Sequence, residues 1–232
     1  MITINGAYGE GGGQILRTSL SLSALTGKPL QIHHIRANRG QPGLRPQHLA
    51  AVKAIAKLTG ANLKGADLHS QKITLTPVAL STGRFQFDIQ TAGALTLVLQ
   101  TLFLPLSFAQ SHSQITLTGG THVRWSPTFD YIQEHWLPIM EKLGFRAQLS
   151  LHNAGFYPRG GGEVIAKILP AKQLQPYTCI DRGELVQIRG LSGVANLTDD
   201  IAKRQKHQAL KRLYSVCQDT KIKTLRLPSH AK

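Results

Sequence analysis

A glycine-rich stretch near the N-terminus carries the residue types best suited to chemistry. Residues 9–17 read Gly-Glu-Gly-Gly-Gly-Gln-Ile-Leu-Arg, which places a carboxylate at Glu10 and a guanidinium at Arg17. Glycines between a strand and a helix expose backbone N–H groups at the positive end of the helix dipole, and both favour phosphate. The stretch predicts a site for a phosphorylated ligand and leaves open whether a metal accompanies it. A simple turn is the alternative, since glycine clusters usually mark turns.

A basic loop follows the next predicted strand. Arg36, Arg39 and Arg45 lie on this loop, and Gln47 follows just inside a second predicted helix. Guanidinium groups bind phosphate through paired hydrogen bonds and remain charged at physiological pH, which suits recognition of a terminal phosphate. A solvated loop with scattered positive charge is the alternative interpretation.

Three further side chains each allow two interpretations. Gln100 stands in an otherwise apolar segment, so it is either a hydrogen-bonded amide of the core, which the pattern favours, or a polar group facing a ligand. Trp125 and Trp136 are interpreted as packing residues, with base stacking as the alternative. The ten histidines show no metal-ligand spacing, so His48 is interpreted as structural or surface-exposed.

The elements that must position these residues follow one order twice. Residues 1–80 predict strand, helix, strand, loop, helix and strand, and residues 84–170 repeat that order. Gly60 and Gly144 end the second helix of each unit at matching positions, which indicates an internal duplication. A third segment begins near residue 184 with a strand, a basic helix and a strand, and it reads as an interrupted domain.

The composition describes an ordinary globular protein except for its charge. Of 232 residues, 41% are hydrophobic and 17% are charged, and 27 Lys and Arg against 12 Asp and Glu give a net charge of +15. This balance favours a polyanionic partner (RNA, DNA or an anionic membrane) over a merely solvated basic surface. Two cysteines, no signal peptide and no membrane-spanning run predict a cytoplasmic protein without a structural disulfide.

Taken together, these motifs resemble the RNA 3′-terminal phosphate cyclase family. The glycine-rich stretch is similar to that family's N-terminal signature, and the Arg-Ala-Asn-Arg and Pro-Gly-Leu segments of the basic loop are similar to its second motif. Further matching segments follow in family order at residues 47–48, 92–93, 97–100, 119–121 and 155–162. The resemblance covers residues 1 to about 213.

The resemblance implies an α/β (α+β) fold of tandem units, each a four-stranded sheet with two helices. It places a cyclase core at residues 1–183 and the start of a small inserted α/β domain at residues 184–232. It also implies an ATP-dependent enzyme of the ligase class in RNA processing. Such an enzyme converts an RNA 3′-phosphate end into a 2′,3′-cyclic phosphate through enzyme-adenylate and RNA-adenylate intermediates.

Residue roles also follow from the resemblance, and they assign Gln100 to a ligand site. A hard carboxylate oxygen is a preferred ligand of Mg²⁺ or Mn²⁺. The implied roles are Glu10 for the metal, Arg17 for phosphate contact, Arg36, Arg39 and Gln47 for binding and orienting the RNA phosphate and nucleotide, and Gln100 and Pro127 for the ATP pocket.

The family's nucleophilic histidine has no counterpart in this sequence. That histidine belongs to a C-terminal segment, and His207 and His230 are poor substitutes. Because covalent catalysis requires the nucleophile itself, we expect the 232-residue chain to be inactive alone, as a fragment or a truncated gene product.

Two other protein classes are alternatives to the cyclase. One is a non-catalytic cyclase-like RNA-binding protein of ribosome assembly, and the retained Gly-Glu-Gly-Gly-Gly-Gln signature with Arg17 argues against it. The other is an enolpyruvyl-transferase-like enzyme, whose substrate motifs are absent. The physiological RNA and the oligomeric state stay open, with a homodimer among the arrangements considered.

Overall fold

The computed structural model describes residues 1–229. The first unit is a four-stranded sheet with two helices. Strands β1 and β2 are parallel, and the other two join antiparallel in the order β1-β2-β4-β3. The bounds are β1 (Ile2–Asn5), α1 (Gly13–Thr26), β2 (Leu30–His33), α2 (Pro46–Thr59), β3 (Asn62–Lys64) and β4 (Ile73–Thr76).

The second unit repeats this topology with the order β5-β6-β8-β7 and the same parallel and antiparallel pairs. Its second helix runs without a break from Phe129 to Lys142. A π-helical turn (Ile132–Trp136) lies between its two α-helical parts, α4 and α5. The bounds are β5 (Arg84–Asp88), α3 (Leu95–Ser107), β6 (Ser113–Gly119), α4 (Phe129–Tyr131), α5 (Leu137–Lys142), β7 (Arg146–Asn153) and β8 (Gly162–Leu169). The predicted fold class is confirmed.

A third segment forms a smaller strand-helix-strand unit. Strands β9 (Ile188–Val194) and β10 (Thr220–Arg226) pair in parallel, and α6 (Asp199–Leu213) connects them. Ala202 of α6 is buried, and so is Ile222 of β10. The domain boundary at residue 183 stays a prediction.

Glycines end the two helices of the first unit, and the second ends at Gly60 as predicted. Gly27 follows α1 with φ 67° and Gly60 follows α2 with φ 58°, both in the left-handed region that glycine adopts without steric cost. Pro46 occupies the first turn of α2, where its missing N–H removes no helical hydrogen bond. The basic loop therefore leads directly into a helix start.

A shared core joins the first two units. Helix α3 of the second unit packs against α1 and α2 of the first. Apolar side chains of both units, such as Leu20 and Leu102, belong to one buried cluster. The hydroxyl of Ser21 on α1 donates to the carbonyl oxygen of Thr101 on α3 at 2.6 Å. This packing fixes the N-terminal end of α1 relative to the second unit.

Two edge strands were not located by the sequence pattern. β3 is only three residues long and mostly exposed, so it offers little alternation. The residues of β7 do alternate between more buried and more exposed positions, but the predicted repeat contained no strand there. Both strands lie at the same edge of their sheets, which completes the four strands per unit that the family resemblance implies. No described helix has the length and apolar character needed to cross a bilayer.

Candidate functional site

A cleft of about 1310 Å³ is lined by residues from both repeated units. Five residues predicted from sequence meet in it: Glu10, Arg17, Arg36, Arg39 and Gln47. The remaining lining residues of the first unit are Gly12, Gly13, Gln14 and His48, and those of the second are Ala92, Gly93, Ala94, Leu97, His122, Val123, Arg124, Trp125, Phe156 and Tyr157.

The glycine-rich loop allows a close approach at the start of α1. A Cβ atom at Gly13 would lie 2.4 Å from Nε2 of His48 and 2.8 Å from Nη1 of Arg17. Gly11 has φ +59°, a left-handed backbone that other residues adopt only with strain. Glycine at these positions therefore lets two buried polar side chains reach the helix N-terminus, where backbone N–H groups are free.

Arg17 is a buried cation without an opposite charge among the residues that the structure describes. It is 8% exposed, and its Nη2 donates to Oε1 of Gln14 at 3.0 Å. Its Nε has no hydrogen-bond partner in the described chain. Burial lowers the pKa of Arg17, yet a guanidinium remains charged at neutral pH. An uncompensated buried charge is costly, so this arrangement suits an anionic ligand.

Two neighbouring side chains of α2 also have unpaired polar atoms. Gln47 is 8% exposed and His48 is 9% exposed. Within the described residues, Nε2 of Gln47 and Nδ1 of His48 have no hydrogen-bond partner. Burial, followed by the positive charges of Arg36, Arg17 and Arg45, lowers the pKa of His48 from 6.5 to about 3. His48 is therefore a neutral group of the cleft, which the sequence interpretation missed.

His48 makes the stability of the fold depend on pH. Its pKa is lower in the folded state, so the unfolded chain binds the extra proton and stability falls as pH drops from 6.5 toward 3. Between pH 7 and pH 5 we expect a loss of about 2 kcal/mol from this residue. Urea denaturation at pH 7 and pH 5 measures the free energy of unfolding of the parent and of His48→Gln. The difference between the two pH values should be smaller in His48→Gln by this amount.

An exposed histidine provides the control for this pH experiment. His112 lies outside the cleft, so His112→Gln should keep the parental difference between pH 7 and pH 5. An unchanged difference in His48→Gln would show that other groups carry the pH dependence.

Glu10 and Arg39 form an ion pair within the cleft. Oε1 of Glu10 accepts from Nη2 of Arg39, and 79% of the Glu10 side chain is exposed. Mg²⁺ is typically held by one or two carboxylates together with phosphate oxygens and water. No group of three potential metal-ligating side chains is found in residues 1–229. Glu10 thus fits a metal whose other ligands come from a phosphorylated substrate, after Arg39 moves away.

The side chain of Arg36 stabilises the conformation of its own loop. Its Nη1 donates to the carbonyl oxygens of Gln41 at 2.7 Å and Gly43 at 3.0 Å. Burial and the charge of Arg45 lower its pKa. The side chain lines the cleft with its guanidinium anchored to the backbone, so its remaining donors are held in a fixed orientation.

Gln100 and Pro127 lie beside the cleft rather than in it. They line an adjoining cavity of about 260 Å³ that shares Gln14 and Leu97 with the cleft. Gln100 is exposed, so its interpretation as a core amide is wrong, because its side chain lines the adjoining cavity and not the packed core. The hydroxyl of Thr96 donates to the carbonyl oxygen of Pro127 at 2.9 Å, which holds the loop against α3.

The two tryptophans have opposite surroundings. Trp136 packs edge-on against Phe103 with ring centroids 4.6 Å apart, as the packing interpretation predicts. Trp125 is 98% exposed and lines the cleft, so the same interpretation is wrong for it. Its position in the loop after the Gly-Gly-Thr segment was the available signal. His207 is exposed on α6 away from the cleft, and His230 lies outside the described residues.

With this geometry in view, comparison with known proteins identifies the family. A family model described as RNA 3′-terminal phosphate cyclase matches residues 8–231, and the chain belongs to that family. A protein of Nostoc punctiforme with that name is 44% identical over 97% of the chain, and one of Pyrobaculum aerophilum is 43% identical over 95%. A third, from Ignicoccus hospitalis, is 46% identical over 88%.

The match covers most of this chain and a smaller part of each relative. The chain spans 67% of the Nostoc protein, 64% of the Pyrobaculum protein and 58% of the Ignicoccus protein. All three relatives carry the name RNA 3′-terminal phosphate cyclase.

Proposed function

We propose that this protein is a cytoplasmic RNA-processing enzyme that uses ATP to convert an RNA 3′-phosphate end into a 2′,3′-cyclic phosphate. The route is that of a ligase-class enzyme, through an enzyme-adenylate and an RNA-adenylate. The observation that carries the proposal is Arg17, whose buried guanidinium has no counter-charge among the described residues and lies near the N-terminal end of a helix. A phosphate in the cleft would supply the missing negative charge and accept hydrogen bonds.

The other polar residues of the cleft complete a phosphate site. Gln47 has an unpaired amide nitrogen that can donate to a phosphate oxygen. Arg36 and Arg39 bring two more guanidinium groups from the basic loop. We assign these residues to binding and orienting the RNA 3′-phosphate, because several fixed donors hold a transferring phosphate in one orientation.

Glu10 is assigned to the divalent metal, Mg²⁺ or Mn²⁺. When bound, such an ion offsets phosphate charge and orients the phosphate oxygens of ATP. Gln100 and Pro127 are assigned to the nucleotide part of ATP, because their cavity adjoins the cleft and combines the exposed amides of Gln14 and Gln100 with largely apolar walls. An ATP molecule would thus extend from the adjoining cavity toward Glu10.

The phosphate assignment is tested with two RNA oligonucleotides of one sequence, ending in a 3′-phosphate or a 3′-hydroxyl. Binding to residues 1–232 is measured by fluorescence anisotropy. We expect the 3′-phosphate RNA to bind roughly 10-fold more tightly or better, since hydrogen bonds to charged groups contribute about 1.5–3 kcal/mol. Equal affinities would contradict the proposal and favour a protein that binds RNA without recognising its end, which the charge of +15 permits.

The same polypeptide addresses the adenylate step. Residues 1–232 contain no histidine that we assign as nucleophile, so incubation with α-labelled ATP and Mn²⁺ should leave the protein unlabelled. Protein that stays labelled after denaturation would show that a nucleophile lies within these residues. That result would remove the proposed inactivity of this polypeptide and leave the phosphate site intact.

A further inference from the structure

An exposed aromatic wall lines the same cleft. Trp125 is 98% exposed, Tyr157 is 82% exposed and Phe156 is 37% exposed. They come from two loops of the second unit, one between β6 and α4 and one between β7 and β8. Large aromatic side chains that stand in water next to a polar cleft indicate a binding surface.

The wall is held in place before any ligand arrives. The Phe156 ring stacks on the His122 ring with centroids 5.4 Å apart. His122 is fixed in turn, since its Nε2 lies 2.6 Å from Oδ2 of Asp130 and its Nδ1 lies 2.7 Å from the Thr121 hydroxyl. This hydrogen bond from His122 lowers the pKa of the Asp130 carboxyl, so Asp130 stays an ionised acceptor near neutral pH.

The backbone of Trp125 also departs from the usual conformation. Its φ is 63°, which is rare for a bulky residue and costs free energy. Such strain recurs at ligand-binding positions. The strained backbone presents the indole to the cleft instead of to the core.

The positive charge of the cleft indicates which ligand binds to this aromatic wall. Arg36 and Arg39 of the first unit line the cleft, and so does Arg124, which precedes Trp125 in the second unit. Cationic groups that follow a phosphate backbone, next to aromatic rings on which bases stack, are the combination by which proteins hold single-stranded nucleic acid. An isolated phosphate would need only the cations and would leave the rings unused, and a metal ion would use neither.

We propose that Trp125 and Tyr157 stack on the nucleobases next to the 3′-phosphate of single-stranded RNA. This inference rests on the proposed function, because the phosphate site on the first unit sets where the RNA ends. The rings make the cleft selective for an unpaired RNA end, since bases within a duplex have no free face. Sequence selectivity is expected to be weak, because every base offers a face for stacking.

The test compares Trp125→Ala with the parent protein, using 3′-phosphate RNA and fluorescence anisotropy. Stacking contributes about 1–3 kcal/mol per base, so the affinity should fall roughly 5- to 100-fold. Trp125→Phe, which retains an aromatic face, should recover most of the loss. The preference for 3′-phosphate over 3′-hydroxyl RNA should persist in Trp125→Ala, because the phosphate site is unchanged.

Two controls separate this inference from the proposed function. Tyr214→Ala removes an aromatic residue that is 58% exposed and lies outside the cleft, and it should bind as the parent does. An oligonucleotide with abasic 3′-terminal positions should bind the parent at least as weakly as normal RNA binds Trp125→Ala, because it loses the stacking partners of both rings. Equal binding of abasic and normal RNA would overturn the stacking inference while leaving the phosphate site standing.

A different occupant would also be revealed. If Trp125→Ala weakens ATP binding and leaves RNA binding unchanged, Trp125 belongs to the nucleotide pocket and the inference is wrong. Loss of the 3′-phosphate preference in the parent itself would instead contradict the proposed function.

Discussion

Replacing Arg17 with methionine is expected to weaken binding of 3′-phosphate RNA about 100-fold and to stabilise the fold at the same time. Arg17 is 8% exposed and has no ion-pair partner among the described residues. Methionine fills a similar volume without a charge, so the desolvation cost of the guanidinium disappears. We expect a gain of about 1–2 kcal/mol in the free energy of unfolding, measured by urea denaturation.

Arg146 provides a matched control for this experiment. It is exposed on β7 and does not line the cleft, so Arg146→Met should change neither binding nor stability. A destabilised Arg17→Met variant would show that the guanidinium supports the fold. Parental affinity for 3′-phosphate RNA in Arg17→Met would remove Arg17 from the phosphate site.

Replacing Glu10 with glutamine should abolish the effect of Mn²⁺ on ATP binding. In the parent, we expect Mn²⁺ to tighten ATP binding about 10-fold or more, because the ion links the carboxylate to the phosphates. Isothermal titration with and without Mn²⁺ measures the ratio, and electron paramagnetic resonance counts the bound ion. The amide has the same shape and no charge, so the ratio should fall close to one.

The ion pair with Arg39 supplies a second arm of the metal experiment. Arg39→Ala frees the Glu10 carboxylate, so Mn²⁺ should bind more tightly while RNA binds more weakly. Glu134, exposed and outside the cleft, is the control, and Glu134→Gln should retain the parental response. If Glu10→Gln still responds to Mn²⁺ as the parent does, the metal is held elsewhere.

Most of the fold could be predicted from local signals. The helix ends at Gly27 and Gly60 are set by residues at the ends themselves, since glycine alone adopts the left-handed conformation without cost. The duplication followed from matching landmarks, and both sheets have the same strand order. The edge strand β3 was not predicted, because three mostly exposed residues are too few to show a periodicity.

The candidate site was predictable only in part. The residue types at Glu10, Arg17, Arg36, Arg39 and Gln47 indicate phosphate chemistry, and the structure brings them into one cleft. The roles given to them by family resemblance stay predictions. Sequence reasoning missed the state of His48 and the exposure of Trp125, because both depend on neighbours distant along the chain.

The sequence by itself determined the repeated units and the kinds of groups that could meet phosphate. Hydrophobic periodicity and turn residues act over a few positions along the chain. They therefore predict helices, strands and turns without knowledge of tertiary contacts. Only the tertiary structure decided that Arg17 is buried with no counter-charge in residues 1–229 and that Trp125 faces the same cleft. Burial and electrostatic surroundings are properties of side chains brought together by packing, and no local pattern contains them.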